Sequence, residues 1–240
     1  MKQVEGYKLT RPDGYDFYTG KTIMYRGNYP HVVRVPTPRA ALGVCSPGVI
    51  HGSIDPNDCF VGAKIPCSAF RFRGIPVCGD KRKYGFLEMT ILEEITDLDG
   101  LFGWRYSEAV NPIHPFRIRE QKVTTEDIAN LRRWATLASV RNNVRNNVWD
   151  NTASVGASVW GSMASVWDSM PNAWDCVWAY IGSLFPNITK WKYIDHKEGE
   201  YPFQPAVDLW RRGFVPSFDG RTWRLHSGQD AKVVYEYATH

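Results

Sequence analysis

Between residues 142 and 185 the apolar positions recur with a period of eleven, in steps of four, four and three. Val144, Val155, Val166 and Val177 share one position of the repeat. Val148, Val159, Met170 and Ile181 share a second, and Thr152, Met163, Trp174 and Phe185 a third. Eleven residues make three helical turns, so these side chains form one nearly straight stripe on a helix. Ile128, Leu131 and Ala135 begin the stripe upstream. Thr124 or Thr125 supplies a cap, and Glu126 and Asp127 suit the positive end of the helix dipole. The pattern predicts a helix from about Thr125 to Met170, on the order of 70 Å long. Pro171 breaks it, and a shorter helix from Ala173 to Leu184 follows. Small residues beside the stripe (Ala153, Ser154, Ala157, Ser158) let a second helix approach closely. An uncharged apolar stripe needs a cover, and homo-oligomerisation through 142–185 is the arrangement favoured. An arm folded back within the chain is the alternative. A helix lying on a membrane is disfavoured by the scarcity of Lys in this region.

The pattern changes before residue 100, where short runs of β-formers alternate with Gly, Pro and Asp punctuation. The predicted strands are Val4–Leu9, Lys21–Tyr25, His31–Val35, Gly48–His51, Cys59–Ile65, Ser68–Phe72 and Tyr84–Ile95. In the last of these Leu87, Met89 and Ile91 fall on one face, and Phe86, Glu88, Thr90 and Leu92 on the other. A short helix starts after Asp55, with Asp55 as N-cap and Pro56 at the first helical position. Residues 96–123 read as an irregular link. Downstream, Pro205–Arg212 forms an amphipathic helix with Ala206, Leu209 and Trp210 inward and Gly213 ending it. Thr222–His226 and Ala231–Tyr237 form a hairpin around Ser227-Gly228. The expected fold class is α+β in three parts. A β-rich domain spans 1–120, a helical repeat arm broken near Pro171 spans 124–185, and a helix-plus-hairpin unit spans 186–240.

Composition adds limits. With 240 residues, 43% hydrophobic and 22% charged, the chain has the make-up of a globular protein. A net charge of +4 permits nucleic-acid contact without demanding it, and Arg71-Phe72-Arg73 and Lys81-Arg82-Lys83 are the runs able to make it. No segment approaches the roughly 18 apolar residues of a membrane span, and the first residues lack the apolar core of a signal peptide. A cytoplasmic protein is expected. Of five cysteines, Cys45, Cys59, Cys67 and Cys78 crowd into one segment. Free buried thiols are the plain expectation. Zinc is the sharper alternative, although no Cys-x2-Cys pair is present.

Several stretches resemble a group of phage- and prophage-encoded domains of unknown function. They are the strand holding Lys8, the turn Phe17-Tyr18-Thr19-Gly20-Lys21-Thr22, the run Cys45-Ser46-Pro47-Gly48-Val49-Ile50-His51, the Ser-Val-Trp repeats and the tail from Pro202 to Gly228. That resemblance implies the cytoplasm of a phage or prophage host. A more distant likeness is to the ADP-ribosyltransferase fold, an NAD-using family. Gly48 to Ser53 is similar to its mid-sheet element, and Glu88 to its late-strand acid. Tyr7 or Lys8 stands at the first-strand position, where that family has His or Arg. The likeness implies Glu88 and His51 as catalytic residues. It implies Tyr7, Lys8, Tyr84 and Phe86 as residues around NAD, with Tyr84 or Phe86 stacking on nicotinamide.

Other chemistries lack their signatures. Tyr18 to Thr22 has no first glycine of a phosphate-binding loop, and neither a Gly-x-Ser-x-Gly elbow nor a His-Glu-x-x-His pair occurs. Two functions are therefore expected in competition. One is an NAD-dependent ADP-ribosyltransferase-like enzyme. The other is a non-enzymatic assembly protein that oligomerises through its arm and carries a structural, cysteine-rich β domain.

Overall fold

The computed structural model describes residues 2–37, 43–44, 46–137, 144–162 and 174–239. The chain is a mixed α+β protein, with antiparallel sheets first, helices in the middle and a three-stranded antiparallel sheet at the end. It divides into two compact units, Met1–Phe102 and Gly103–His240.

In the first unit β1 (Val4–Thr10), β2 (His31–Arg34), β4 (Ser68–Gly74) and β7 (Glu88–Ile95) form one sheet in the order β1-β4-β7-β2. β3 (Ile50–Gly52), β5 (Cys78–Gly79) and β6 (Tyr84–Phe86) form a second, in the order β3-β6-β5. A short helix, α1 (Leu98–Phe102), closes the unit. The core between them holds Tyr25, Val33, Ile50, Phe70, Phe72, Phe86, Met89 and Ile91. Phe72 and Phe86 meet edge-on at 5.0 Å, joining one sheet to the other.

The long strand expected over Tyr84–Ile95 is two strands. Phe86 pairs with Ile50 in the small sheet, whereas Glu88 pairs with Arg34 in the large one. The chain changes sheets at Leu87, so the alternation of faces resets there. Phe86 and Met89 both point into the core, and Leu87 is exposed. Cys59–Ile65 is not a strand. The capping signal prevails, and Pro56–Val61 forms a 3-10 helix whose Asp55 carboxylate accepts from the Asn57 amide at 2.8 Å. Lys21–Tyr25 contributes only one bridge, Met24 to Tyr15.

In the second unit the link expected to be irregular contains α2 (Tyr106–Val110) and a 3-10 turn at Pro115–Arg117. Next comes α3 (Thr125–Thr136), opened by a reciprocal cap. Thr124 Oγ1 accepts from the Asp127 amide at 3.2 Å, and Asp127 Oδ2 accepts from the Thr124 amide at 2.8 Å. α3 ends where Leu137 caps it, so the continuous helix expected from Thr125 to Met170 does not form. Its Leu131 and Trp134 are buried where α3 packs on α6 (Gln204–Arg211). The repeat itself gives α4 (Val144–Ser162) and α5 (Trp174–Ser183), which pack on each other. Val144, Val148 and Val159 are fully buried and Val155 nearly so. Within the described residues the valines of the stripe are thus covered where α4 packs on α5, while Trp174 of the same stripe is exposed. Trp160 stacks on Trp178 at 4.4 Å across that packing. The expected break at Pro171 lies outside the described residues.

α6 buries Ala206, Leu209 and Trp210. It ends on Gly213 at φ 85°, with Gly213 donating to Trp210 and Phe214 to Leu209. Arg212, at that end, reaches the buried Asp127 carboxylate with two bonds of 2.6 and 3.1 Å. The expected hairpin is β9 (Thr222–Ser227) with β10 (Lys232–Ala238), and β8 (Val215–Phe218) adds a third strand beside β9.

Candidate functional site

The strand β1 carries a charge where the core face calls for an apolar residue. Lys8 lies directly opposite Phe70, and Gly6 opposite Phe72. Directly opposed residues share a face, so Lys8 projects onto the same side as the aromatic core. Its ammonium lies 5.1 Å from the centre of the buried Tyr25 ring.

A second local feature brings the other polar groups to Lys8. The end of β3 crosses close to β1, and Tyr7 and Ser53 exchange two backbone bonds of 2.7 and 3.1 Å. Gly6 permits this approach, since a Cβ there would stand 2.5 Å from the Ser53 carbonyl oxygen. The crossing sets His51 and Ser53 beside Lys8. The 3-10 helix Pro56–Val61 packs on β1 and delivers Cys59, whose thiol donates to the Tyr7 carbonyl at 3.2 Å. A loop from Asp16 to Thr22 supplies the remaining wall. There Asp16 accepts from the Thr19 amide and hydroxyl, both at 2.7 Å.

Together these elements enclose a cavity of about 490 Å3 within the first unit. Its walls include Lys8, Asp16, Tyr25, His51, Ser53, Asp58, Cys59 and Lys83, among apolar groups such as Ile23, Val35, Val49 and Ile50. The size and the mixture, mostly apolar with a few converging polar groups, suit a small organic molecule.

Burial sets the protonation of these groups. Desolvation pushes the Lys8 ammonium down to about 8, against the pull of Cys59 and Asp16 and with the help of Lys83. The His51 imidazole is brought down to about 4 by burial and by the charges of Lys83 and Lys8, opposed by the Val44 backbone. It is neutral near pH 7, and its Nε2 has no hydrogen-bond partner among the described residues. Burial pushes the Cys59 thiol up, which keeps it protonated. Burial also works against the Asp16 carboxylate, but the hydrogen bonds from Thr19 and Ile23 hold it below the usual range. The arrangement therefore offers one amine easily made neutral, one neutral imidazole and an unreactive thiol.

No protein family, curated protein or solved structure matches the chain.

The residues marked by the transferase likeness do not assemble at one place. Lys8 and His51 line the cavity, whereas Glu88, Tyr7, Tyr84 and Phe86 do not. Glu88 is exposed on β7 and ion-paired with Arg34 at 3.0 Å. Phe86 is fully buried in the core, leaving no open ring face for a nicotinamide. Tyr84 packs against that core from its edge. Tyr7 is committed through its backbone to Ser53 and Cys59.

The cysteines do not converge either. Cys59, Cys67 and Cys78 are free thiols, and Cys45 lies outside the described residues. Among the described residues no three side chains of metal-binding type come together. Of the basic runs, Arg71 pairs with Glu93 at 2.8 Å while Phe72 enters the core. Asp80 accepts from the Arg82 and Lys83 amides, which folds that run into a turn and sends Lys83 to the cavity. Among the described residues no helix is long and apolar enough to cross a membrane.

Tyr25 and Asp16 are absent from the residues expected at a site, and Cys59 stands among them only as a zinc candidate. Asp16 had a local signal, an acid three residues before Thr19 in a Gly-containing turn, which is the spacing of a side-chain-capped loop. Tyr25 had none, and the cysteine cluster that marked Cys59 did not point to Lys8, because only the folding of distant segments brings them together.

Proposed function

We propose that the first unit binds a small organic molecule in the cavity beside Lys8, and that this binding is the function of the domain. The observation that carries the proposal is an unpaired cation on the core face. Among the described residues, no hydrogen bond and no ion pair holds the Lys8 ammonium. Lys8 is half-buried; a charge drawn out of water without a partner is costly, and chains keep such charges mainly at working sites. Any anionic or polarised group entering the cavity lowers that cost.

Binding is tested with the whole protein by thermal shift and ligand-detected NMR, against a panel of small carboxylates, carbonyl compounds and nucleotides. Thr22→Trp, at an exposed position on the cavity wall, narrows the mouth and weakens binding of any hit. Hits that bind Thr22→Trp and Lys8→Met as tightly as the parent chain would place the ligand elsewhere.

A second reading is NAD-dependent transfer, and its support is that Lys8 and His51 share one cavity. NAD belongs in the same panel for that reason. Nicotinamide release that survives Glu88→Ala but disappears in His51→Ala would move the chemistry to the cavity. Absence of release removes the enzyme from that class. For assembly through the repeat, the described valines of the stripe pack between α4 and α5, and exposed Trp149 and Trp174 are positions left for a second chain.

A further inference from the structure

Building on that ligand-binding reading, we propose that Lys8 is a nucleophilic amine that forms an imine with a small 2-oxo acid held in the cavity. Three placements converge on it. The Nζ of Lys8 sits above the Tyr25 ring, where a flat carbonyl group finds an apolar floor. Lys83 is a second cation on the same wall, with no ion pair among the described residues, and it suits the carboxylate of the acid. His51 lines the cavity with Nε2 unpartnered, while its other side is engaged by the Val44 backbone. With the ring engaged by the Val44 backbone on its other side, Nε2 is the nitrogen left to meet an incoming group.

The chemistry balances without a further reagent. The lone pair of neutral Lys8 attacks the carbonyl carbon and a C–N bond forms. The carbonyl electron pair moves to oxygen, which takes up a proton as the nitrogen gives one up. In the resulting carbinolamine the nitrogen lone pair forms the C=N bond as the C–O bond breaks, and His51 Nε2 relays the proton from nitrogen to the hydroxyl, which leaves as water. One amine and one carbonyl compound become one imine and one water. Among the described residues two other nucleophiles of this type line the wall, Lys83, which is assigned to the carboxylate, and Cys59. Its buried, protonated thiol, donated to the Tyr7 carbonyl, does not compete.

The experiment treats the whole protein with pyruvate or glyoxylate and sodium cyanoborohydride, followed by intact mass and peptide mapping. One reduced adduct per chain is expected, on Lys8. With its nitrogen neutral far more often near pH 7, it should react on the order of a hundredfold faster than surface lysines. The trapping rate should rise with pH to a half-maximum near 8 rather than above 10. Lys8→Arg keeps the charge and should abolish the adduct. Circular dichroism and a pulse of binding to lactate, which lacks the carbonyl, confirm that this variant is folded with its cavity intact. Adducts spread evenly over the lysines overturn the proposal. So does binding of pyruvate and lactate alike, weakened by Thr22→Trp, with no adduct on Lys8; that outcome leaves the ligand-binding reading standing. Neither binding nor adduct removes both.

Discussion

The Lys8 ammonium stands 5.1 Å from the centre of the Tyr25 ring, on the face of β1 that Phe70 and Phe72 continue into the core. A sheet face that excludes water elsewhere here carries a charge. The cost of that charge is measurable and pH-dependent.

Lys8 is expected to destabilise the protein at neutral pH. Its folded value of about 8 lies below the ordinary 10.5. Between those values the unfolded chain is protonated and the folded one is not, so stability rises with pH through that window. Below pH 8 the penalty is complete. The shift corresponds to about 3 kcal/mol at most; with a discount for the half-exposed ammonium, Lys8→Met should be more stable at pH 7 by about 1–2 kcal/mol, and that advantage should shrink toward pH 10.5. Urea unfolding from pH 7 to 10.5 checks this; a pH-independent difference would contradict it.

His51 acts in another window. Its folded value of about 4 lies below the ordinary 6.5. Stability is complete above pH 6.5 and is lost as pH falls toward 4, because the unfolded chain takes up the proton first. His51→Gln should flatten the denaturation midpoint over that range and leave it unchanged in slope above pH 7. A parallel fall in both proteins would assign the acid sensitivity to other groups.

Gly6 is a steric requirement of the site. A Cβ there would stand 2.5 Å from the Ser53 carbonyl oxygen and 3.2 Å from the Phe72 ring. Gly6→Val is expected to push β3 off β1, cost about 1–3 kcal/mol and open the cavity. Gly161→Val, on α4 of the second unit with no described atom outside its own helix within 4 Å of an added Cβ, is the control. Calorimetry of the two variants, with ligand titration, separates the local effect from general loss of stability.

In the second unit, Arg212 neutralises a carboxylate with no solvent exposure, that of Asp127. Arg212→Met leaves that charge buried and should cost about 3–5 kcal/mol. Asp127→Asn in the same background should recover much of it, since the amide still serves the cap at Thr124. A double-mutant cycle gives the coupling, and additive losses would show that the pair is not coupled.

The helices were legible where local signals agree. Thr124 and Asp127 announce the start of α3, and Gly213 announces the end of α6. The stripe of valines correctly marks one buried face, yet it cannot tell an intramolecular cover from a second molecule. Periodicity reports which side is apolar, not what lies against it. It also missed the interruption after Thr136, since α3 and α4 pack against different helices. In the β region, Tyr84 to Ile95 alternates as one strand, and nothing local to Leu87 says that its neighbours pair in different sheets. The site was half legible. Lys8 and His51 are marked by the transferase likeness, which does not itself describe this cavity. Tyr25 and Cys59 join them only through contacts distant in sequence. For Lys8 the pattern misleads, because Tyr7 and Leu9 look like the apolar side of β1 while the pairing with Phe70 turns Lys8 inward.

The change of sheet at Leu87 has a dynamic consequence. The strand beside His51, β6, and the strand beneath the core, β7, are one backbone with a single residue between their ladders. Neither ladder can fray at that junction without pulling on the other. Loosening of the cavity wall is thus tied to loosening of the large sheet, and the first unit should exchange its protected amides as one cooperative body rather than sheet by sheet.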